Sequence, residues 1–286
     1  MTQSAKKLRR PFRFGFVKFS FLIALLLILS SWIFIFWVEE ADFLGLFSEK
    51  NRDHTKNFLS NMAGIGVENP AFLDAEKWKQ ALWLTYETLQ MSVMAIGFAT
   101  MAMLLTVVPA ARNAADGTLT VTKKWYGWLV YGVIRFLYVL SRAVPELIWA
   151  MMIIFIFKPG ILPGAIALAL HNFGILGKLC AEVIEDLDMR PIRSLASSGA
   201  GKVQLLVYGI IPEVMPKFIS YILYRWEVII RTTIVVGFVG AGGLGMEFKL
   251  SMSWFHYTDM TLFLICYVML VWMVDFLSEK LRKAMR

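Results

Sequence analysis

Arg193-Ser-Leu-Ala-Ser-Ser-Gly199 opens the stretch that decides how this sequence folds, and Gly209-Ile-Ile-Pro212 closes it. Both lie in a polar segment, residues 186–213, between two strongly apolar ones. A short turn would suffice to return the chain to an apolar environment, but this segment has a short helical pattern and then a glycine that tolerates positive φ. The apolar run after it ends at Pro212, which we expect to restart the chain at an angle. We therefore predict two short helices joined at Gly199, forming a ridge that suits a docking partner.

The composition indicates a membrane protein. Its residues are 58% hydrophobic and 17% charged, and its mean hydropathy is +0.62, which is unusual for a soluble chain. A helix needs about 20 apolar residues to cross about 30 Å of hydrocarbon. The first such stretch is too long for a signal peptide and lacks a small-residue cleavage site, so we expect it to be retained. Six spans are predicted: 17–38, 82–108, 127–157, 162–183, 214–240 and 259–279.

Lysine and arginine between these spans set the predicted orientation. Basic residues fall in the tail 1–16, in two alternate loops and in the C-terminal tail, whereas the loop over 39–80 leans acidic. Both termini are therefore predicted in the cytoplasm and residues 39–80 in the periplasm. The same asymmetry explains the net charge of +8 without a nucleic-acid partner. The basic residues are Lys6, Lys7, Arg9, Arg10, Arg13, Arg112, Lys123, Lys124, Arg190, Arg193, Lys202, Lys280, Arg282, Lys283 and Arg286, and the acidic ones Glu39, Glu40, Asp42, Glu49 and Asp53.

No catalytic constellation stands out in the sequence. Cys180 and Cys266 fall in separate predicted spans and indicate neither a disulfide framework nor a metal site. The three histidines, His54, His171 and His256, are scattered, and the sequence contains neither a GxxxxGK[ST] phosphate loop nor an HExxH motif. We predict a protein that is not an enzyme and has no catalytic residue, metal or cofactor of its own.

The segment from Arg193 to Pro212 resembles the coupling loop of binding-protein-dependent ABC importer permeases, whose pattern is Glu-Ala-Ala, three residues, Gly, nine residues, Ile-x-Leu-Pro. Gly199 and Pro212 keep this spacing, and Ile211 stands at the Leu position. The sequence departs from the pattern at four positions, which are occupied by Arg193, Ser194, Leu195 and Gly209. The resemblance implies that this loop docks an ATPase, and the absent glutamate removes one expected salt bridge to it.

A second segment is similar to the end of the fifth span in phosphonate-type permeases. It begins with Tyr224-Arg-Trp-Glu-Val-Ile-Ile-Arg231 and ends with Gly237-Phe-Val-Gly-Ala-Gly-Gly-Leu-Gly245. Residues 142–146, 174–182 and 275–283 match the same branch in order, so the resemblance covers about residues 80–286.

The resemblance implies an all-α membrane protein of the type I ABC importer permease fold in the bacterial inner membrane. Two copies of the chain would form the pathway, and two ATPase subunits, which bind ATP and Mg, would sit on the cytoplasmic loops. A periplasmic or lipoprotein substrate-binding protein would deliver phosphonate or a related oxyanion: phosphite, hypophosphite or phosphate.

Ionisable side chains inside the predicted spans need partners, because each costs at least about 2.5–3.5 kcal/mol at the membrane centre. Arg142 and Glu146 are four residues apart and should share one helical face, as should Lys178 and Glu182. Each of these pairs could therefore neutralise itself within its own helix.

The fifth span carries three further charges. Arg225 and Glu227 are two residues apart, so each needs a partner on another span. Arg231 lies deepest and has Glu227 as its nearest carboxylate; if those two pair, Arg225 is left free. Two interpretations stay open. Either all these groups are helix–helix contacts, or the cations attract an anion, which the planar fork of arginine binds with two hydrogen bonds. The candidate path residues are Arg142, Lys178, Arg225 and Arg231.

The glycine-rich run lacks the Lys-Ser/Thr of a nucleotide loop. Its small residues instead predict close backbone packing or a flexible gate where two subunits meet, and they could also expose amides to a passing anion. The glycines are Gly237, Gly240, Gly242, Gly243 and Gly245. Three tryptophans are predicted as membrane-interface anchors: Trp128, Trp149 and Trp254.

The sequence leaves three alternative functions to consider: import of another solute, ion-coupled transport and catalysis within the membrane. Within the same class, the solute could be methionine or an organic sulfonate. An ion-coupled secondary transporter would show inverted repeats and broken helices, and no internal repeat is evident. A membrane-embedded enzyme would need His, Cys or carboxylates at ligand spacing, and no such cluster stands out. The coupling-loop pattern has a use only in an ATPase-coupled permease.

Overall fold

The computed structural model describes residues 15–37, 45–119 and 125–285, and no strand occurs within these ranges. Several residues used above to predict orientation lie outside the described residues, namely most of the basic tail and parts of two loops. They are Lys6, Lys7, Arg9, Arg10, Arg13, Glu39, Glu40, Asp42, Lys123, Lys124 and Arg286.

The described helices are α1 (Phe16–Trp37), α2 (Glu49–Met62), α3 (Ala75–Thr106), α4 (Arg112–Ala115), α5 (Gly127–Ala143), α6 (Glu146–Phe157), α7 (Ile161–Glu185), α8 (Met189–Ser197), α9 (Lys202–Gln204), α10 (Ile211–Val236), α11 (Gly243–Ser253) and α12 (Tyr257–Ala284). Short 3₁₀ turns cover Gly45–Phe47 and Ala71–Leu73, and π-helical turns cover Leu205–Ile210 and Gly237–Ala241.

Contacts divide the chain into two units, Met1–Leu59 and Ser60–Arg286. In the first unit, α1 is apolar on every face and buries none of its side chains. A helix of this kind is suited to lipid rather than to a protein core.

The core of the second unit is built on α3, α7 and α10. Small residues let the helices approach closely. A Cβ on Gly177 would collide with the ring of Tyr138, and one on Gly174 would lie 2.5 Å from the Tyr138 carbonyl oxygen. The Tyr138 hydroxyl reaches across to Thr106 Oγ1 at 2.8 Å. The two glycines of α7 therefore fix where α5 crosses it.

The structure has four to six candidate membrane spans, a range that includes the predicted six. Four described helices, α1, α3, α7 and α12, are long and apolar enough to cross a membrane singly. Helices α5 and α6 are long and apolar enough only as a pair, which is bent by 93°, and the stretch Lys202–Ala241 forms a second such pair with α11, bent by 63°. Counting each bent pair as one span gives up to six.

The predicted loop over 39–80 contains structure of its own. Helix α2 lies within it, and α3 begins at Ala75, before the expected start at residue 82. The Asp74 side chain accepts a hydrogen bond from the Glu76 amide and so caps the free N–H groups of the first turn.

Candidate transport site

The third span breaks at Val144-Pro145. Proline has no N–H to donate, and its ring disfavours helical φ and ψ at the residue before it. Two carbonyl groups near the break are satisfied by side chains: Trp149 Nε1 donates to the Ser141 oxygen at 3.1 Å, and His171 Nδ1 lies 3.0 Å from the Val144 oxygen. Such replacement partners are what a broken helix needs in lipid. Trp149, expected as an interface anchor, is instead part of this support.

The break corrects the predicted pairing of Arg142 with Glu146. These residues end α5 and begin α6, so they share no helical face. Glu146 Oε2 contacts His171 Nε2 at 3.1 Å. The Arg142 guanidinium has no ion-pair or hydrogen-bond partner among the residues that the structure describes.

Arg225 reaches the same place from α10. Its Nε and Nη2 donate to Asn172 Oδ1 at 2.8 and 2.5 Å. The partner is thus on another span, as predicted, but it is a neutral amide. Glu146 is the carboxyl group that acts on Arg225 electrostatically. We call Arg142, Glu146, His171, Asn172 and Arg225 the break cluster.

His171 and Asn172 were missed by sequence reasoning. They form an adjacent polar pair near the middle of α7, after ten residues without a polar side chain. That interruption was the available signal, since polar groups inside a span usually face a partner or a cavity. The sequence could not show that the third span breaks beside them.

The other charges of α10 pair with α12. Arg231 Nη2 lies 2.5 Å from Asp275 Oδ2, and Arg282 Nη2 lies 2.7 Å from Glu227 Oε1. The considered pairing of Glu227 with Arg231 is therefore wrong, although Glu227 does find its partner on another span. Arg231, expected to lie deepest, keeps 47% of its side chain exposed.

The predicted contact within α7 is confirmed. Lys178 Nζ lies 3.5 Å from Glu182 Oε1, one helical turn away. Both side chains are partly exposed, at 39% and 44%. Lys178 is thus a neutralised cation at the surface of the single chain.

The glycine-rich run forms the bend between α10 and α11, with close packing as predicted. Gly240, Gly242 and Gly243 have positive φ of 104°, 84° and 65°. A Cβ on Gly237 would lie 2.7 Å from the Gly245 Cα, and one on Gly245 would collide with the Ile234 carbonyl oxygen. The Leu244 amide donates to Thr88 Oγ1 at 2.9 Å, which ties the bend to α3.

The predicted coupling loop contains α8, which begins where the Asp188 side chain caps the Arg190 amide. Its apolar side packs inward through the buried Ile192 and the half-buried Leu195. It ends at Gly199, which has φ +87° and donates to the Ala196 oxygen at 3.0 Å. This is the left-handed glycine that commonly closes a helix.

The second part of that loop differs from the prediction. The chain is one helical stretch from Lys202 to Ala241, with a π-helical turn at Leu205–Ile210. Pro212 stands at the start of α10 and does not restart the chain at an angle. The missing proline N–H is accommodated because the π turn directly precedes it. Ile211, beside Pro212, is half-buried.

The last residue of α7 anchors the end of that helix. Glu185 Oε1 accepts hydrogen bonds from Arg135 Nη2 at 2.5 Å and from the Arg112 amide at 2.7 Å. Asn113 Nδ2 donates to the Ile184 oxygen at 2.7 Å. These bonds fix the end of α7 to α5 and α4.

The exposed residues of α8 include Arg193 and Ser194.

No cluster of three His, Cys, Asp or Glu residues in the described part of the chain could hold a metal ion. Cys180 and Cys266 are free and buried. The geometry therefore consists of a membrane core with a broken span, a polar cluster at the break and an amphipathic helix at one end.

The family model for the binding-protein-dependent transport system inner membrane component matches residues 117–286, from just before α5 to the end of the chain. The chain belongs to this family. As an inner membrane component of a binding-protein-dependent system, it is a multi-pass membrane protein and a transport subunit, not an enzyme. The family also implies an ATPase and a substrate-binding protein as partners.

Relatives of this family component support the assignment. The phosphite transport system permease protein PtxC of Stutzerimonas stutzeri is 36% identical over 225 residues, which cover 79% of this chain and 77% of that protein. The putative phosphite transport system permease protein HtxC of the same organism is 35% identical over 196 residues, covering 68% and 66%.

The fold of the family component is also seen in a solved structure, the MetNI methionine ABC transporter in an inward-facing conformation. The likeness has a TM-score of 0.58 at 19% identity and covers 72% of this chain and 97% of that chain. At that identity it shows the fold alone, which is the predicted type I ABC importer permease fold.

Proposed function

We propose that the chain is the permease subunit of an ATP-driven importer for a phosphorus oxyanion: phosphonate, phosphite, hypophosphite or phosphate. The phosphite permeases among its relatives support this class of substrate. The observation that carries the proposal is Arg225, a half-buried guanidinium in the membrane core whose hydrogen-bond acceptor is the neutral Asn172 amide. An arginine without a carboxylate on it keeps its charge available to an anion.

The pathway follows from the break cluster. Arg142 ends α5 at the break, and Arg225 reaches Asn172 from α10. Neither has a direct carboxylate partner in the described part of the chain, and we place the anion between them. Lys178 and Arg231 have carboxylate partners at 3.5 and 2.5 Å, so we assign them a secondary part in the path. Any such site should bind weakly, because an importer must also release its substrate.

The coupling segment would work through its exposed face. We infer that Arg193, Ser194 and Leu195 on α8, with the Gly199 turn and the Ile211-Pro212 start of α10, dock on an ATPase subunit. Ser194 and Arg193 face outward, and Leu195 anchors the helix to the core. The ATPase would bind ATP and Mg, and this chain would bind no cofactor.

The assembly we propose contains two copies of the chain, two ATPase subunits and one periplasmic or lipoprotein substrate-binding protein. Both termini would lie in the cytoplasm, with 1–16 as a basic tail, 17–38 as the first span, 39–80 in the periplasm and 81–286 as the permease core with its coupling loop at 186–213. The glycine bend at Gly237–Gly245 would serve as a gate or packing point near the periplasmic face.

The first test uses the chain purified with its ATPase and binding protein in lipid discs. ATP hydrolysis is measured with phosphonate, phosphite, hypophosphite, phosphate and methionine added in turn. We expect stimulation by a phosphorus oxyanion that depends on the binding protein. Stimulation by methionine alone would replace the substrate class, and failure to recruit any ATPase would remove the proposal.

A second test addresses Arg225. Arg225→Gln should lower oxyanion uptake by about tenfold or more, since a charge-assisted bond is worth about 1.5–3 kcal/mol. Arg225→Lys keeps the positive charge but not the planar fork of the guanidinium. Its oxyanion uptake should therefore lie between that of the wild type and that of Arg225→Gln. Wild-type uptake in Arg225→Gln, with the complex intact, would remove Arg225 from the path.

A further inference from the structure

The ring of His171 lies between two oxygen atoms. Nδ1 is 3.0 Å from the Val144 carbonyl oxygen, and Nε2 is 3.1 Å from Glu146 Oε2. A carbonyl oxygen can only accept, so Nδ1 must carry a hydrogen. Nε2 of that tautomer is an acceptor, and so is an ionised carboxylate. The contact between them therefore requires one further proton, either on Nε2 or on Glu146.

We propose that Glu146 and His171 share one bound proton, and that this proton decides how far Arg225 is open to an anion. The second half of the proposal rests on the proposed import of a phosphorus oxyanion. The pair is neutral in sum with the proton, as imidazolium with carboxylate or as imidazole with carboxylic acid. Without it, the pair carries one negative charge.

The contact between Glu146 and His171 is largely buried. The side chains of His171 and Glu146 are only 14% and 27% exposed. Removing the proton would set two lone pairs against each other where little water can intervene, and an unpaired buried charge is costly. The contact joins the first turn of α6 to the middle of α7, and Nδ1 of the same ring reaches Val144 at the end of α5. The His171 ring therefore bridges the two sides of the break.

The charged surroundings are few. Helix α10 contributes Arg225 and the nearby Tyr224, and α5 contributes Arg142 in its last turn. Helix α6 carries no other ionisable side chain than Glu146, and α3 has none after Glu87. On α7 the next charge is Lys178, which Glu182 already neutralises. Glu146 acts electrostatically on Arg225, so Arg225 is the cation that a deprotonated Glu146 would compensate.

The direction of the effect follows. With the proton bound, Arg225 faces the neutral Asn172 amide and its charge is available. As pH rises and the proton leaves, Glu146 becomes a free carboxylate near Arg225 and competes with an incoming anion. Oxyanion uptake should therefore fall as pH rises.

The test measures uptake by the complex of this chain, its ATPase and its binding protein in proteoliposomes between about pH 5.5 and pH 8.5. Glu146→Gln keeps a donor toward His171 Nε2 and cannot ionise. We expect wild-type uptake to fall about fivefold or more across this range, a typical coupling between two sites. Uptake by Glu146→Gln should stay near its value at low pH.

A matched control separates this effect from the pH response of the partners. Glu87→Gln removes a carboxyl group on α3 that binds the Trp83 indole at 2.9 Å, and it should keep the wild-type slope. The same slope in all three proteins would overturn the proposal.

The protonation state of His171 and Glu146 can be measured directly, without a substrate. In ¹⁵N-histidine spectra of the complex, the His171 signal is identified by its loss in His171→Gln. At neutral pH we expect both ring nitrogens protonated, or Nε2 hydrogen-bonded to a protonated carboxyl group seen in the infrared. A singly protonated ring beside an ionised Glu146 would refute the shared proton. If no oxyanion stimulates any variant, the proposed function fails while this measurement still settles the pair.

Discussion

Charged side chains in the membrane core differ in the kind of partner they have. Arg231 and Glu227 each meet an opposite charge on α12, and Lys178 meets one on its own helix. Such pairs offset most of the cost of an ionised group in lipid. Arg225 is different, because its bonded acceptor is a neutral amide. The acceptor atom therefore distinguishes the two arginines: a carboxylate oxygen for Arg231 and an amide oxygen for Arg225. This difference favours Arg225 over Arg231 as the residue that binds an anion.

The pairing of Arg231 gives a prediction at this scale. Arg231→Gln should destabilise the folded chain by about 1 kcal/mol, since the ion pair that it breaks with Asp275 is partly exposed. Adding Asp275→Asn should recover most of this loss. The midpoint of thermal unfolding in detergent and the yield of assembled complex measure both effects.

The opposite result has a clear meaning. If Arg231→Gln assembles with wild-type stability but transports no oxyanion, Arg231 belongs to the anion path and its contact with Asp275 is incidental.

Helix irregularities carry the working parts at the scale of elements. The break at Val144-Pro145 places Glu146 at a helix start and Arg142 at a helix end, where the helix dipole favours each charge. The π turn at Leu205–Ile210 lets the helix continue into Pro212. The left-handed Gly199 ends α8 so that the chain can turn into the next helix. Each irregularity has an identifiable local cause, in a proline or a glycine.

Gly199 gives the prediction for this scale, with Gly201 as its matched control. No atom lies within 4 Å of a Cβ built on Gly199, so Gly199→Ala would act only through its φ of +87°. That strain is about 1–2 kcal/mol, enough to displace the end of α8. We expect oxyanion-stimulated ATP hydrolysis to fall about fivefold or more, while the chain remains inserted.

Gly201 lies two residues further on, with φ −71°, which alanine adopts freely. Gly201→Ala should therefore keep wild-type ATP hydrolysis in the same complex. Equal activity in Gly199→Ala and Gly201→Ala would count against a coupling role for the α8 turn.

In the whole molecule, the first turns of the helical stretch Lys202–Ala241 extend beyond the last described turn of α12. Arg231 contacts Asp275 and Glu227 contacts Arg282, so α10 and α12 run antiparallel. Met285 lines one groove with Pro216, Lys217, Ser220 and Tyr221, which puts the end of α12 beside the first half of α10. The helical stretch from Lys202 to Pro216 then projects roughly 20 Å beyond that level, at about 1.5 Å per residue. A segment held that far out suits contact with a partner in the aqueous phase.

The proposed orientation of the chain in the membrane can be tested by chemical labelling. An impermeant maleimide should label Ser198→Cys only from the cytoplasmic side and Ser253→Cys only from the periplasmic side. Both positions are exposed, and the native Cys180 and Cys266 are buried, so their background should be low. Thr233→Cys, buried in α10, is the unlabelled control. Labelling of Ser198→Cys from outside cells would reverse the proposed orientation.

The membrane setting, the fold family and the contact between Lys178 and Glu182 could be predicted from the amino-acid sequence. These depend on apolar run length, on local motif spacing and on neighbours within one helix, all of which are local properties of the chain. The tertiary structure alone decided the partners of Glu146, Arg225, Glu227 and Arg231. A proline interrupts helical periodicity between Arg142 and Glu146, and contacts between spans depend on how helices cross. Glycines at the crossings set those positions, so the break cluster emerges only when α6, α7 and α10 are packed together.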